Sequence, residues 1–304
     1  MKNRKNVSGA DPELTSLAEA YAKDNGIDYK RQNEYVKVDA DRAKRIADAY
    51  EEMKHDPNNP KVKEAYQNLI NQTLAQYQVL TDAGYEFSFF DETNDPYNKS
   101  PWAAMEDLRN NKRMAVFSTV AGYGADTQAL KDSDNPMLAD TGLKWDHNGK
   151  MVPVLANDLF RAVHDAFGHG IEGSGFRARG EENAWQSHVR LFTGSAIAAI
   201  TSETRGQNSW LNYGPNGEAN KTASLDDTVF AEQKTGLMPE WTWKEGLDTG
   251  ASTFKSQKVT PETSSNYANL TEDGKGNFVF FHVGKRGYNA IKPKSGTNKV
   301  YFFI

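Results

Sequence analysis

The stretch FRAVHDAFGHG, residues 160–170, holds two histidines five apart, with an acid and a glycine between them. The chain has six histidines, and three of them, His164, His169 and His188, fall between positions 164 and 188. Two neutral imidazoles and one carboxylate arranged on a triangular face leave open positions for oxygen or water, a donor set that suits Fe(II). The same set suits catalytic zinc, with one water in the fourth position. On an ideal α-helix, residues five apart differ by roughly 140°. His164 and His169 then face different ways, whereas Asp165 and His169 share a face. Gly168 is where the helix would end or unwind so that both imidazoles turn toward one point.

Several acids compete for the third position. In GEENAWQSH, Trp185 and His188 fall within about 40° of Glu181 on one helix face. Glu181 and His188 are roughly 10 Å apart along the axis at about 1.5 Å per residue, too far to bind one ion together. One would be a ligand while the other orients a ligand imidazole through a hydrogen bond. Glu182 is a rival ligand, and extra carboxylates could make a two-metal site. Acids in a helix's first turn also favour its dipole with no further role. Glu203 emerges from SAIAAI, a small apolar run that must be buried, and a buried acid is costly unless paired or metal-bound. Arg205 is its alternative partner. Asp165, Glu181 and Glu182 are the candidate general bases.

The stretch ETRGQNSWLNYG is dense in forked donors and flat rings. With Gly206 letting the chain turn out of the helix, it reads as a non-helical wall of the same cavity. Arg205 would grip a carboxylate or phosphate through two bonds. Asn208, Trp210 and His188 complete the candidates for substrate contact. A rigid, hydrogen-bonded structural loop is the other reading.

Two resemblances bear on these residues. HDAFGH resembles the His-Glu-x-x-Gly-His stretch of the aromatic amino acid hydroxylases, which hold a catalytic non-haem iron with two histidines and a glutamate. The resemblance implies His164 and His169 as ligands and assigns the glutamate's part to Glu203, 34 residues after His169. It covers about 50 residues. Asp165 stands where that family usually has Glu, and the family's proline before the first histidine is missing. More of the chain, in NKRMAVFST, FRAVHDAFGH, GEENAWQSH and SETRGQNSW, resembles a family carried in bacteriophage genomes, including large polyvalent phage proteins. That implies a phage origin and names no reaction.

The elements that must position these residues read as a mainly α (α+β) fold: a helical core around a His-rich helix pair, with small β elements before it and at the C-terminus. Residues 1–35 read as a flexible N-terminal segment, 36–250 as the helical domain, and 251–304 as a small β element built from NFVFFHVG and KVYFFI. In DADRAKRIADAYEEMKHD and KVKEAYQNLINQTLAQYQVLTDAG, apolar residues recur at three and four. They predict two helices in an antiparallel hairpin, broken by DPNNP and closed at Gly84. YEFSFF and MAVFST read as strands flanking a short helix. Residues 121–150 read as a long surface loop, and 207–250 as mostly irregular.

Composition excludes several chemistries. No cysteine is present, which rules out disulfides, thiolate ligands and a cysteine nucleophile. A net charge of −5 argues against nucleic acid as a partner. No run of about eighteen apolar residues marks a membrane span, and no apolar segment follows the positive charges at the N-terminus. The glycine-rich pieces lack a Walker lysine, and no nucleophile elbow is present. Three functions follow as expectations. The first is a non-haem Fe(II) oxygenase or hydroxylase acting on a small polar or amino-acid-like substrate. The second is a zinc-dependent hydrolase with the same ligands. The third is a non-catalytic phage protein, structural or packaged, with other phage proteins as partners. The expected location is the cytoplasm, of a host cell if the protein is phage-encoded, or else the virion.

Overall fold

In the computed structural model the chain is mainly helical, with 57% helix and 11% strand, and its sheets have two strands each. The structure describes residues 10–244 except 33–34, 92, 98–99, 101, 123–132, 148 and 224–226. Beyond them it describes only two short strands, β5 (Leu270–Glu272) and β6 (Phe278–Phe280), which pair antiparallel. The expected strand at 299–304 lies outside the described residues. No helix among the described residues is long and apolar enough to cross a membrane.

Within the segment 1–35 that reads as flexible, residues 12–24 form helix α1 (Pro12–Asp24). Asp11 caps it by accepting the N–H groups of Glu13 and Leu14 at 2.9 and 3.1 Å, with Pro12 preset for the first turn. Leu14, Ala18, Tyr21 and Ala22 are buried, so its apolar stripe holds it in the main core. Helices α2 (Ala40–Glu52) and α3 (Pro60–Asp82) form where expected, capped by Asp39 and Asn59. They do not pair mainly with each other. The chief partners of α3 are the helices Ala156–Val163 and Ala196–Thr201, and α2 lies on the helix Gln207–Tyr213. The apolar stripes of both helices find larger apolar faces there than on one another.

Strands β1 (Glu86–Phe90) and β2 (Arg113–Phe117) run parallel, with Phe87 opposite Met114, because α4 (Trp102–Asn111) carries the chain back between them. The end of the expected long loop, from Asp140, is a hairpin, β3 (Asp140–His147) against β4 (Lys150–Leu155). Its turn is set by Gly149 at φ +79° and by the Asp146 carboxylate, which accepts the Gly149 N–H at 2.7 Å. Asp146 and Gly149 supply turn chemistry here.

The helical block then runs from α5 (Ala156–Val163) through a π-turn at His164–Gly170, α6 (Ala178–His188) and α7 (Ala196–Thr201) into a second π-turn at Ser202–Gly206. It continues without a break into α8 (Gln207–Tyr213), so residues after Gly206 are helical, contrary to the sequence reading. Gly206 sits at φ −62°, and a Cβ there would meet Tyr50 Cδ2 at 2.7 Å. Its lack of a side chain serves the approach of α2 rather than a turn.

Helix α5 has one side in each of two apolar clusters. Val163 packs with Leu14, Tyr21, Leu108 and Met114. Phe160 packs with Tyr66, Leu69, Trp185 and Ile200. The histidine-bearing turn therefore emerges where two cores meet.

Candidate metal centre

A π-turn closes each hydrogen-bonded ring over one more residue than an α-turn. Positions five apart come round to one side, which is what His164 and His169 need. The sequence reading looked for unwinding at Gly168; the widened turn does the work instead. Gly168 has a different task. A Cβ there would lie 3.1 Å from the Ala184 carbonyl and from Cε1 and Nδ1 of His164, so its absence lets α6 come close. That approach brings in Glu181.

His164, His169 and Glu181 each offer one ligand atom, and these atoms lie within 4.8 Å of one another, all buried. Glu181 Oε2 is 3.2 Å from His169 Nε2 and 4.0 Å from His164 Nε2. Metal–nitrogen and metal–oxygen bonds of about 2.0–2.2 Å would draw these atoms in by less than an ångström each. Among the described residues this is the one group of three or more such donors.

Hydrogen bonds around the cluster set the proton positions. Gln76 Nε2 donates to the Leu191 carbonyl at 3.3 Å, which fixes its amide with Oε1 toward His188 Nε2 at 2.9 Å. That nitrogen must carry the hydrogen. His188 Nδ1 is then a lone pair, and it faces His164 Nδ1 at 3.1 Å. His164 Nδ1 must therefore be the donor, and a neutral imidazole has only one N–H. His164 Nε2 is left as a lone pair. It is buried and has no hydrogen-bond partner, and it points toward a carboxylate oxygen. A buried acceptor facing another acceptor is unfavourable, and a cation between them removes the cost. On the other ligand, His169 Nδ1 faces the Ser174 carbonyl at 3.3 Å, which aims Nε2 at Glu181.

Electrostatics follow the same plan. Burial pushes the Glu181 carboxyl up, but the His169 and His164 imidazoles outweigh it and hold the group at about 2. Burial keeps His164 below the ordinary imidazole range. Burial also holds His188 well below that range, with His164 and His169 adding to it. Burial opposes charge on His169 too, but Glu181 raises it. Phe176 stacks on His169 at 4.6 Å and Phe160 on His164 at 6.0 Å, so both imidazoles are walled by aromatic carbon.

The other expected site residues divide. Glu203, which the hydroxylase resemblance put among the ligands, is not in the cluster; Glu181 takes that place. Glu203 accepts the Tyr66 hydroxyl at 2.5 Å and the Gln207 amide at 3.1 Å, and burial lifts it to about 7. It nevertheless lines the same cavity of about 370 Å³ as His164 and Asp165. Burial raises Asp165 to about 6. Glu182 is held by both arms of Arg205, at 2.7 and 3.0 Å. Arg205 also donates to the Thr242 carbonyl and lies 4.1 Å over the Trp185 ring. It is thus a buried clamp, not a substrate grip.

Trp210 donates to Glu51 and packs with Ile46 and Tyr50 under α2, away from the cavity wall. Asn208 lines a neighbouring cavity that shares Phe176, Gln207 and Gln233 with the first. His188 lies beside His164, Nδ1 to Nδ1 at 3.1 Å, and does not line the cavity that His164 lines.

Sequence reasoning missed Gln76 and Tyr66. Val62, Tyr66, Leu69, Thr73, Gln76 and Leu80 recur at four, three, four, three and four, and all are buried on one stripe of α3. Polar side chains at apolar-stripe positions were the available signal. No family model, curated protein or solved structure matches the chain.

Proposed function

We propose that the protein is a metalloenzyme holding one divalent ion on His164, His169 and Glu181, and that the ion is Fe(II), used to oxidise a small molecule. The observation that carries this reading is the bare, buried Nε2 of His164 facing Glu181 Oε2. Two imidazoles and one carboxylate fit a facial set with open positions. A bound iron would supply the one-electron and dioxygen chemistry that side chains lack. The chain's own part is to bind, orient and exclude water. Phe160 and Phe176 cover the imidazoles, and His188 and Gln76 hold His164 in the metal-binding tautomer. Asp165 and Glu203 stand on the cavity wall as groups able to give or take a proton near neutral pH.

One observation favours a second reading. A carboxyl poised at about 7 beside the site is what a zinc hydrolase needs in a general base. Elemental analysis of untagged protein, followed by oxygen uptake with iron restored, separates the two. One iron per chain with oxygen consumption supports the first. One zinc, with no oxygen dependence, transfers the site to hydrolysis. No metal at all would return the histidines to a purely structural role, as in a non-catalytic phage protein. A phage origin, with other phage proteins as partners, rests on the resemblance of four stretches alone.

A further inference from the structure

We propose that the cavity beside His164 takes a compact, largely apolar molecule by a cationic or hydrogen-bond-donating head set against Glu203, and disfavours anions. This rests on the reading of that cavity as the substrate chamber of the metal site. It departs from the carboxylate- or phosphate-bearing substrate that Arg205 would have gripped.

Phe90, Phe117, Phe160, Phe176, Met114 and Leu138 make most of the wall apolar. About 370 Å³ lies within the range of small-molecule sites, roughly 300–1,000 Å³. The charged groups on the wall are three carboxyls, Asp95, Asp165 and Glu203, and one guanidinium, Arg161. Arg161 donates to the Phe117 carbonyl at 3.0 Å and stands in the field of Asp158 and Asp165. The other buried guanidinium nearby, Arg205, is committed to Glu182. An anion entering here therefore meets acids, with the cations already bonded elsewhere.

Glu203 is suited to receive a donor. Tyr66 and Gln207 each hold one of its oxygens, so its direction is fixed. A carboxylate has about four lone-pair sites, and these two bonds use two of them. An ammonium would also gain from the faces of the surrounding phenylalanines. His164 is on the same wall, so a head on Glu203 would sit in a chamber that one of the proposed ligands lines.

Cyclohexylamine, cyclohexanol and cyclohexanecarboxylate share a body and differ in the head. Their binding is measured by calorimetry at pH 7.5 to wild-type protein and to Glu203→Gln, each with and without zinc. In zinc-free wild type the amine is expected to bind at least tenfold tighter than the carboxylate. Glu203→Gln should lower amine affinity at least tenfold. Tyr66→Phe, which keeps the carboxylate and removes only its donor, should keep the preference, and it serves if the first variant does not fold. Zinc loading should add affinity for the carboxylate, which can ligate the ion, and leave amine binding to Glu203 in place. A carboxylate bound as tightly as the amine in zinc-free wild type overturns the proposal. So does an amine preference that Glu203→Gln leaves intact. Failure of wild type to bind zinc at all would sink the metalloenzyme reading, while the zinc-free comparison would still decide this one.

Discussion

Nδ1 of His164 lies 3.1 Å from Nδ1 of His188, and a single hydrogen stands between two otherwise equivalent acceptors. Gln76 decides to which of them it belongs, because its carbonyl oxygen at 2.9 Å claims the His188 Nε2–H. The free Nε2 lone pair of His164 is thus set by a neutral imidazole and an amide on another helix. Gln76→Leu removes the deciding acceptor and leaves His188 able to take either tautomer. Metal affinity, measured by competition with a chromogenic chelator, should fall about 10- to 100-fold. Gln76→Glu keeps an acceptor in place and should retain most of it. Equal affinity in wild type and Gln76→Leu would show that the tautomer is set elsewhere.

The two candidate carboxylates predict opposite outcomes. Glu181 is within the ligand cluster, and Glu203 is bound to Tyr66 and Gln207. Glu181→Gln should lose stoichiometric metal, and Glu203→Gln should keep it. Elemental analysis of the two purified proteins gives the answer. The reverse pattern would restore the ligand order that the hydroxylase resemblance suggested.

The histidine pair was legible in sequence because two imidazoles in so short a stretch are conspicuous, and the helices were legible because their apolar residues recur at three and four. What local pattern could not supply was which acid joins the two imidazoles in one cluster. Glu181 enters only because Gly168 lets α6 approach the π-turn, a tertiary event with no periodic signature. The π-turn itself is invisible to a ruler of 3.6 residues, which is why His164 and His169 seemed to face apart. Arg205 misled for the opposite reason. Its types of neighbour suggested ligand binding, but Glu182, 23 residues earlier, already filled its fork. Helix α1 was missed because Pro12 and Asp11 looked like a loose tail until Leu14 and Tyr21 were seen buried beneath them.

That clamp gives a third expectation. Arg205→Lys keeps the charge and loses the fork, leaving buried Glu182 with a weaker partner and Arg42 at 3.9 Å. Breaking buried pairs outright costs about 3–5 kcal/mol, so a lysine that restores one contact should cost about 2 kcal/mol in urea unfolding. Metal content should not change. Lost metal with full stability would place Arg205 in the site after all.

Gly168→Ala tests the close approach of α6. The added methyl would sit 3.1 Å from the Ala184 carbonyl and from the His164 ring. Helix propensity favours the change by about 1 kcal/mol, while overpacking costs about 1–3 kcal/mol. Net stability should therefore move little, while metal affinity falls because α6 carries Glu181 away. Gly84→Ala is the control. Its cost comes from φ +86° in open space, so it should lower stability and leave metal binding alone. Parallel losses in both variants would mean that affinity merely tracks stability.

The last expectation is a pH dependence that belongs to Glu203. Its carboxyl titrates near 4.5 when unconstrained and near 7 in the folded protein, because burial outweighs the Tyr66 and Gln207 bonds. Between those values the folded chain holds a proton that the unfolded chain has released. Stability therefore falls as pH rises through that window, and levels off above it. A displacement from 4.5 to about 7, at about 1.4 kcal/mol per unit, corresponds to a fall on the order of 3 kcal/mol. Asp165 acts in the same direction but over a lower window, ending near 6. Glutamine cannot titrate, so the difference in unfolding free energy between wild type and Glu203→Gln isolates the one group. Urea titrations at pH 4.5, 6 and 7.5, with a chelator present, should show wild type losing ground to the variant as pH rises. A difference constant across the three pH values would mean that Glu203 is already ionised in the fold. It would then be no reservoir for a proton near neutral pH, and its part in either the oxidation or the hydrolysis would lose its basis.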